Sequence, residues 1–442
     1  MDREELRRAV SERLDGRQLV YFGTRGDDAE GVGDLRELSA VFSVVGSSRR
    51  AGVQSLSLEE ITGRRVDLDA HDIDDDPRSP AVIQLRRAML RTLSHESVVF
   101  TYRPSTFLSA ICFARDDRCT YAGMFKDHQA AFEHKPWVES SVRRLGIDAI
   151  PWAYLADEDQ LQSSRYLDSG AVMLRRSRSS GGAGLTRVET AADLAAAWPE
   201  QDEIFVSVAP YIDGGIPTNV SAVVWDDGVT LHAPSVQLIG IPECTSRPFG
   251  YCGNDFGAVR ELPPHIIEQM EVATRRIGRW MQSLGFRGAF GVDFLVSEDR
   301  ALFTEINPRL QGVTHLACQL SASVGQSCVM LEHLGALLGL PAPPSISLAD
   351  HVASTGDVAH LVLHWMGGEP GNVDGEHLND QLLEWPDVTR VDVTCSETTR
   401  LDPGATLARA TIHDRLTASG FELIEPWAGR VHEISSVNGR TT

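Results

Sequence analysis

The stretch GAFGVDFLVSEDRALFTEINPRLQG, residues 288–312, contains two apolar runs on either side of an SEDR tetrapeptide. This composition is typical of a β-hairpin with its turn at the tetrapeptide. For a hairpin centred near Asp299, Asp293 lies opposite Glu305, because each is six residues from the centre. Directly opposed side chains have Cβ atoms roughly 5 Å apart, and the two-residue period of a strand puts Asn307 on the same face as Glu305. Three oxygen-bearing side chains, two of them acidic, are therefore predicted to converge.

Two carboxylates at that distance repel each other unless one is protonated or a cation lies between them. A hard divalent ion with oxygen ligands suits such a pair, and Mg²⁺ is normally held by one or two carboxylates, with phosphate and water completing its shell. The alternative is an edge hairpin whose polar side chains simply face water. The hairpin by itself leaves both interpretations open.

A second informative segment is RRSRSSGGAG, residues 175–184, which follows an apolar strand and precedes another short one. Its three glycines permit backbone with positive φ and let amide hydrogens approach phosphate oxygens, while three arginines add positive charge. A phosphate cradle and a flexible connection both fit this composition. The segment is neither a P-loop nor a dinucleotide fingerprint, because it lacks their spacing and no helix opens at its end.

Composition excludes several classes of protein. The chain has 442 residues, and its 62 acidic and 41 basic side chains give a formal net charge of −21, which disfavours nucleic acid as a partner. Seven cysteines without a C-x-x-C pair indicate a reducing compartment. We found no apolar run of 18 residues and no signal peptide, so we expect a cytoplasmic protein without a membrane partner.

Periodicity predicts an α/β chain, with a strand over residues 97–102 and strand-like segments at 203–211, 219–225 and 229–239. Helices are predicted over residues 81–93, 136–145 and 264–284, the last two ended by Gly146 and Gly285. We expect four domains, namely residues 1–130, 131–210, 211–340 and 341–442. In the last of these we recognised no chemical motif.

The order strand, Ser-Gly-Gly loop, strand, and then D-F-L followed by E-I-N-P-R resembles the ATP-grasp superfamily of carboxylate ligases over residues 135–315. The resemblance implies an ATP-grasp fold with an N-terminal pre-ATP-grasp α/β domain, a two-lobed nucleotide-binding region and a small C-terminal domain. It also implies ATP and Mg²⁺ as cofactors.

By the same resemblance, the Mg²⁺ ligands would be Asp293, Glu305 and Asn307, and Arg309 would face the reacting carboxylate or acyl phosphate. Arginine stands at 175, where the family usually has a phosphate-binding lysine, so the charge is kept but the geometry changes. The hinge between the lobes would contact adenine through its backbone. The implied ATP-binding residues are Lys135, Arg175, Ser180, Gly181, Gly182, Ala209, Tyr211 and Ile212.

The implied reaction has two steps, in which a substrate carboxylate takes the γ-phosphate and an amine then displaces phosphate. Biotin carboxylases have a glutamate base shortly after the arginine, and none follows Arg309 here. The chain looks most like pheganomycin-type peptide ligases, whose partners are a small carboxylic acid and an amine or peptide. A dipeptide ligase and a non-catalytic ATP-binding protein remain alternatives, and the oligomeric state stays open, a homodimer included.

Residues 237–257, QLIGIPECTSRPFGYCGNDFG, are long for a connection and rich in Gly, Pro, Cys and aromatic residues. Long loops of this kind often cover functional sites, although an ordinary surface loop is the alternative. If this segment lines the site, the predicted substrate-binding residues are Arg247, Tyr251, Asn254 and Asp255.

Overall fold

The structure is a computed structural model that describes residues 2–46, 50–68, 73–74, 76–93, 96–108, 118–155, 165–176, 181–182, 184–198, 205–392 and 398–438. Within these ranges the strands form three sheets and one two-stranded ribbon, which pairs β4 (Arg64–Arg65) with β19 (Arg400–Leu401). Every helix within these ranges is too short or too polar to span a lipid bilayer.

The N-terminal sheet is parallel, and its strand order is β3-β2-β1-β5-β6. Its order reverses between β1 and β5, and in open parallel sheets the crevice at such a point, beyond the carboxyl ends of the strands, is where ligands bind. Its strands are β1 (Gln18–Arg25), β2 (Leu38–Val45), β3 (Gln54–Ser57), β5 (Ser97–Thr101) and β6 (Cys119–Ala122). The helices of this part are α1 (Arg3–Leu14), α2 (Leu58–Thr62) and α3 (Pro80–Thr92).

A small antiparallel sheet follows, with the order β7-β10-β8-β9. Its strands are β7 (Ala153–Leu155), β8 (Val172–Arg176), β9 (Leu185–Val188) and β10 (Val206–Pro210). Two helices precede the sheet, α4 (Lys126–Ala131) and α5 (Lys135–Arg144), and two more lie within its chain segment, α6 (Arg165–Asp168) and α7 (Ala191–Ala197).

The largest sheet has the order β16-β15-β11-β13-β14-β17-β20-β18, with β12 also paired to β11. The sheet contains strands that precede and strands that follow residue 340, the predicted boundary between the third and fourth domains. Its strands are β11 (Ile216–Val224), β12 (Val229–Leu231), β13 (Ser235–Ile239), β14 (Tyr251–Asp255), β15 (Gly288–Ser297), β16 (Arg300–Asn307), β17 (Ala359–His364), β18 (Val388–Asp392) and β20 (Thr406–Ile412). The remaining helices are α8 (Pro264–Ser283), α9 (Thr314–Ser323), α10 (Val329–Leu337), α11 (Leu348–Ser354), α12 (Gly375–Leu383) and α13 (Trp427–Asn438).

The two faces of this sheet differ because side chains alternate along each strand. On β11 and β15, Val220, Val292 and Phe294 are buried in one core cluster with the apolar stripe of α8, for example Ile277. The opposite face carries Asn219 and further polar residues in the region towards the N-terminal sheet. One face thus stabilises the domain, and the other is available for chemistry.

Most of the predicted elements are confirmed. The α/β class holds, α3, α5 and α8 lie at the predicted helices, and Gly146 and Gly285 have the positive φ of helix-ending residues. The single strand expected over residues 229–239 is wrong, because it breaks into β12 and β13 around Pro234, which has no amide hydrogen for a ladder. The long loop expected over 237–257 is also partly wrong, since its ends belong to β13 and β14. The four domain boundaries stay a prediction.

Candidate active site

A row of polar side chains crosses three neighbouring strands at the centre of the site. Asn219 on β11 pairs in register with Asp293 on β15, which pairs in turn with Glu305 on β16. Asn219 donates a hydrogen bond to one carboxylate oxygen of Asp293, and Asn307 Nδ2 donates to the other at 2.9 Å. The predicted juxtaposition of Asp293, Glu305 and Asn307 is therefore confirmed as geometry, and their role as metal ligands remains a prediction.

The hairpin reaches this register through a β-bulge, which was not expected from the sequence. Its turn consists of Glu298 and Asp299, because Ser297 pairs with Arg300. Counted from that turn, Thr304 would lie opposite Asp293; a β-bulge between Phe294 and Asp293 shifts the ladder by one residue. The predicted turn centre at Asp299 was thus off by half a residue, and the bulge accounts for the correct pairing.

The two carboxylates differ in their protonation. Burial, reinforced by the neighbouring charge of Glu305, raises the pKa of Asp293 to about 7. Burial would also raise the pKa of Glu305, but the charge and hydrogen bond of Lys135 outweigh it and lower this pKa to about 2. Lys135 Nζ lies 2.6 Å from Glu305 Oε2. One acid is thus neutralised by a cation and the other by a proton, which is how a close pair of carboxylates is tolerated.

Lys135 is the first residue of α5, and Glu139 lies one helical turn further on. While Lys135 contacts the large sheet, Glu139 Oε1 accepts a 2.6 Å hydrogen bond from Arg175 Nη2 on β8 of the small sheet. Tyr154 donates to the other oxygen of Glu139. Helix α5 therefore connects the acidic hairpin to the strand that leads into the glycine-rich loop.

Arg175 is almost entirely buried at the small sheet. Its guanidinium lies over the Trp152 ring, 4.0 Å from the centroid, and is 3.5 Å from Ser207 Oγ in addition to its ion pair with Glu139. The charge expected near phosphate is therefore present but is engaged by Glu139 in this conformation. Glu139 was missed by the sequence argument, because nothing in a helix pattern distinguishes an inward glutamate from a solvated one.

The glycine-rich loop approaches the segment between β13 and β14. Gly181 and Gly182 have φ of 56° and 75°, and a Cβ at Gly182 would collide with the carbonyl oxygen of Phe249. Glycine is required there by both the backbone conformation and the space. Gly182 thus lies against residues 249–250. Ser180, predicted to bind ATP, lies outside the described residues.

The predicted adenine hinge links the small and large sheets. Ala209 belongs to β10 and is buried against Leu302 of β16, and the partly buried Ile212 packs against the same cluster. The Tyr211 amide donates to Ala171 O at 2.8 Å, and its ring receives the guanidinium of Arg187 at 4.3 Å from the centroid. The position between the lobes agrees with the expectation, and contact with adenine stays a prediction.

Arg309 lies directly after the β16 strand. Its Nη1 donates to Leu310 O at 3.3 Å, its Nε is 3.9 Å from Glu133, and its charge lowers the pKa of Asp293, although less than burial raises it. Gln311 folds back over the glycine at position 291, where a Cβ would overlap its amide. Arg309 is thus close enough to the acidic pair to act on a group bound there.

The four residues predicted to bind substrate separate into different environments. Tyr251 and Asn254 lie on the polar side of β14, where Tyr251 donates to Asn254 Oδ1 at 2.5 Å and Asn254 Nδ2 donates to Ser235 Oγ at 2.9 Å. Arg247 forms an ion pair with Asp67, apart from the acidic row. The expected role of Asp255 in substrate binding is corrected by its contacts. Its carboxylate is fully buried and accepts from the amides of Ala258, Leu416 and Thr417, so we reassign it to the support of the fold.

Residues 149–313 match the ATP-grasp domain family. Among characterised proteins, a formate-dependent phosphoribosylglycinamide formyltransferase from a Synechococcus strain is 28% identical over 219 residues, which cover 48% of this chain and 51% of that protein. An L-propargylglycine–L-glutamate ligase from Streptantibioticus cattleyicolor is 31% identical over 185 residues, covering 40% of this chain and 33% of the ligase. The chain thus spans about half the length of the formyltransferase and a third of the ligase.

Solved structures agree over nearly the whole chain. The N5-carboxyaminoimidazole synthase of Aspergillus clavatus, in complex with ADP and 5-aminoimidazole ribonucleotide, has a TM-score of 0.62 at 15% identity and covers 96% of this chain and 98% of its own. Biotin carboxylase from Campylobacter jejuni has a TM-score of 0.61 at 14% identity, covering 91% of this chain and 89% of its own. At this identity the likeness shows a common fold, and the predicted fold is confirmed.

Proposed function

Because residues 149–313 form an ATP-grasp domain, we propose that this chain is an ATP-dependent ligase that joins a carboxylic acid to an amine with formation of ADP. The observation that carries this proposal is the row Asn219–Asp293–Glu305, with Lys135 and Arg309 beside it. Domains of this type use ATP and Mg²⁺. A site that neutralises several phosphate oxygens needs several charged groups of this kind close together.

The residues fit a magnesium ion. Asp293 and Glu305 offer oxygen ligands from opposite strands, Asn307 lies next to them, and the ammonium group of Lys135 already occupies a position beside Glu305 that a cation favours. When bound, the ion would neutralise phosphate charge and polarise the transferred group. Asp293 must give up its proton to act as a ligand, while Asn219 keeps the side chain oriented.

Cationic residues would position the two reacting groups. If a metal ion engages Glu305, the ammonium of Lys135 at the start of α5 would be free to contact a phosphate oxygen. Arg309 would hold the carboxylate in line with the γ-phosphate and then stabilise charge as the amine attacks the acyl phosphate. Catalysis of this kind depends on positioning and charge neutralisation, so it requires no dedicated nucleophile from the protein.

For the bond that is formed, we propose a peptide bond or another amide. Support comes from the similarity to the L-propargylglycine–L-glutamate ligase, which acts on amino acids by its name, and from the absence of an acidic residue shortly after Arg309. A dipeptide ligase that uses two free amino acids is the second candidate. The acyl donor and amine would both be small molecules or peptides.

ADP release tests this proposal. The full chain with Mg²⁺ and ATP is offered a panel of carboxylic acids and amines, singly and in pairs, with peptides among the amines. We expect ADP only when an acid and an amine are both present, loss of this signal in Glu305→Gln, and its retention in Glu298→Gln, which changes an exposed acid in the turn of the same hairpin.

The alternatives give different outcomes. ADP release with free amino acids but not with peptides favours the dipeptide ligase. No release with any pair, together with tight ATP binding, favours a nucleotide-binding protein without turnover.

A further inference from the structure

A second polar cluster lies between the N-terminal sheet and the large sheet, beyond the acidic row. It contains the buried atoms Tyr21 Oη, Arg25 Nε, Asp28 Oδ2 and His315 Nδ1 and both ring nitrogens of His360, none of which has a hydrogen-bond partner within the described part of the chain. Buried polar atoms are normally satisfied, so a concentration of unsatisfied ones in one region indicates a place for a polar ligand.

Arg25 is the central cation of this cluster. It is the last residue of β1, at the carboxyl end of the strand where the order of the N-terminal sheet reverses. Tyr21 lies on the same face of β1, and its hydroxyl extends over Gly23, where any side chain would collide with it. Among the described residues Arg25 has no ion pair and no side-chain hydrogen bond. A partly buried guanidinium without an anion is costly, which points to an anionic ligand.

The opposite side of the cluster comes from the large sheet. His360 on β17 pairs with Asn254 of β14 on one side and Thr411 of β20 on the other, so these side chains share one face. Tyr251 is within electrostatic reach of Arg25, and burial more than any charge raises its pKa far above the ordinary value. Burial also lowers the pKa of His360 well below its usual range, so its ring is neutral and offers one donor and one acceptor.

Charge balance in the cluster restricts the ligand. Arg409 is held by Asp28 at 3.3 Å and Asp27 at 3.6 Å, and His315 lies 3.2 Å from Asp392, which with Glu30 pairs with Arg390. Together with Arg25, the group thus has three arginines and four acidic side chains. Asp28 Oδ2 remains available as an acceptor. A carboxylate against Arg25 with an amino group near Asp28 adds no net charge to this acidic group, whereas a phosphate dianion would add further negative charge.

The cluster is continuous with the proposed reaction site. Tyr102 follows β5 at the same reversal point, and its carbonyl accepts from the Leu310 amide at 3.3 Å, next to Arg309. Burial raises the pKa of Tyr102 to about 12, and the charges of Asp28, Arg309 and Arg25 all act on its hydroxyl. Tyr102 thus lies between the two sets of residues.

We propose that Arg25 and His360 bind the free carboxylate of an amino acid or peptide that serves as the amine substrate, and that Tyr251 turns its hydroxyl from Asn254 to this carboxylate. The amino group of the ligand is directed to Asp28 and the reaction site. This proposal rests on the proposed function for the role of the ligand, but the binding itself does not require turnover. Such a site would bind amino acids and peptides in preference to phosphorylated amines.

Binding can be measured on the full chain with Mg²⁺ and ADP by saturation-transfer NMR and titration. The probes are the L-amino acids, alanyl-alanine, their carboxamide counterparts, and O-phosphoethanolamine, an amine with phosphate in place of carboxylate. We expect at least one carboxylate probe to bind, and its amide and O-phosphoethanolamine to bind at least about tenfold more weakly.

Variants separate a ligand contact from a structural role. Arg25→Gln should weaken binding of the carboxylate probe at least about tenfold, Arg25→Lys should restore part of it, and Arg91→Gln, an exposed arginine on α3, should change nothing. Tyr251→Phe is a second variant that keeps the ring, and it should weaken binding about threefold or more.

Equal affinity for acid and amide, unchanged binding in Arg25→Gln and Tyr251→Phe, or preference for O-phosphoethanolamine would overturn the proposal. If no probe binds, the cluster holds water only and the proposal is wrong. Carboxylate binding without ADP release would leave this inference standing and count against the proposed function.

Discussion

Asp293 and Glu305 face each other across the β15–β16 hairpin, although the turn at Glu298 and Asp299 would by itself place Thr304 opposite Asp293. The bulge beside Phe294 therefore determines which side chain completes the acidic pair. Bulges are common next to active sites, where they redirect a side chain. The pair then needs a proton, Lys135 or a metal ion to be stable.

Replacing Glu305 tests its role as a metal ligand. Glu305→Ala should abolish measurable turnover, a loss of at least about 100-fold, because one carboxylate ligand of the phosphate-bound metal is removed. Steady-state ADP formation measures the effect, with Glu298→Gln as the control on the same hairpin. Near-normal activity of Glu305→Ala would refute the assignment.

Arg309 should matter for acyl transfer more than for nucleotide affinity. Arg309→Ala is expected to lower kcat at least about 100-fold while changing the Kd for ATP less than about threefold, because its partner is the reacting carboxylate. Equilibrium ATP binding and product formation are compared in the same preparation. Equal losses in both would indicate that Arg309 binds nucleotide instead.

The raised pKa of Asp293 predicts that the stability of the metal-free protein depends on pH. Its pKa is raised from 3.8 to about 7, so the folded protein holds a proton that the unfolded chain has lost. The contribution of this proton to the free energy of unfolding is complete below about pH 4 and disappears as the pH rises towards 7. Glu305 has a lowered pKa, and its contribution is lost only as the pH falls below 4.5 towards 2.

The thermal midpoint of the metal-free protein should therefore decline between pH 5 and pH 8 more steeply than that of Asp293→Asn. Mg²⁺ with ADP should raise the midpoint most at pH 8, where no proton has to be displaced. Parallel pH profiles for the wild type and Asp293→Asn would contradict the assigned protonation.

The buried ion pair between Glu139 and Arg175 should be important for stability. Glu139→Gln leaves the Arg175 charge buried without its counterion and is expected to cost about 3–5 kcal/mol in the free energy of unfolding. Urea denaturation measures this, and Glu189→Gln, which breaks an exposed pair with Arg187, should cost less than about 1 kcal/mol. A cost below about 1 kcal/mol in Glu139→Gln as well would show that Arg175 is solvated and free to reach phosphate.

The glycine-rich loop gives a test of nucleotide closure. Gly182→Ala should raise the KM for ATP at least about tenfold, because a Cβ there collides with Phe249 O and pushes the loop away. Gly214→Ala is the matched control, since Gly214 has a similar φ of 67° but nothing within 4 Å of an added Cβ. It should cost only about 1 kcal/mol of backbone strain and leave KM unchanged. An equal rise in KM for both variants would exclude a role for the contact with Phe249.

Local patterns predicted the parts of the protein in which neighbours in sequence are neighbours in space. The β15–β16 hairpin and helix α8 with its terminal glycine are examples, because short-range pairing and the helical period are visible in the chain. The contacts of Glu139, Asn219 and His360 were missed. Each depends on strand order or on which sheet a helix contacts, and neither is encoded in a local period.

The C-terminal segment illustrates this limit most clearly. No motif was visible beyond residue 340, yet β17 and β20 place His360 and Arg409 on the same sheet face as Asn254. That placement follows from the antiparallel addition of β17 to β14, about 100 residues earlier in sequence, and of β20 to β17.

A crystal structure of the full chain with Mg²⁺ and ADP would show directly whether Asp293 and Glu305 hold a metal ion. We expect a magnesium ion within about 2.0–2.1 Å of a carboxylate oxygen from both Asp293 and Glu305 and in contact with the nucleotide phosphates, with the Lys135 ammonium turned from Glu305 to phosphate. A nucleotide bound elsewhere, with the 2.6 Å contact between Lys135 and Glu305 intact and no ion at the acidic pair, would contradict it.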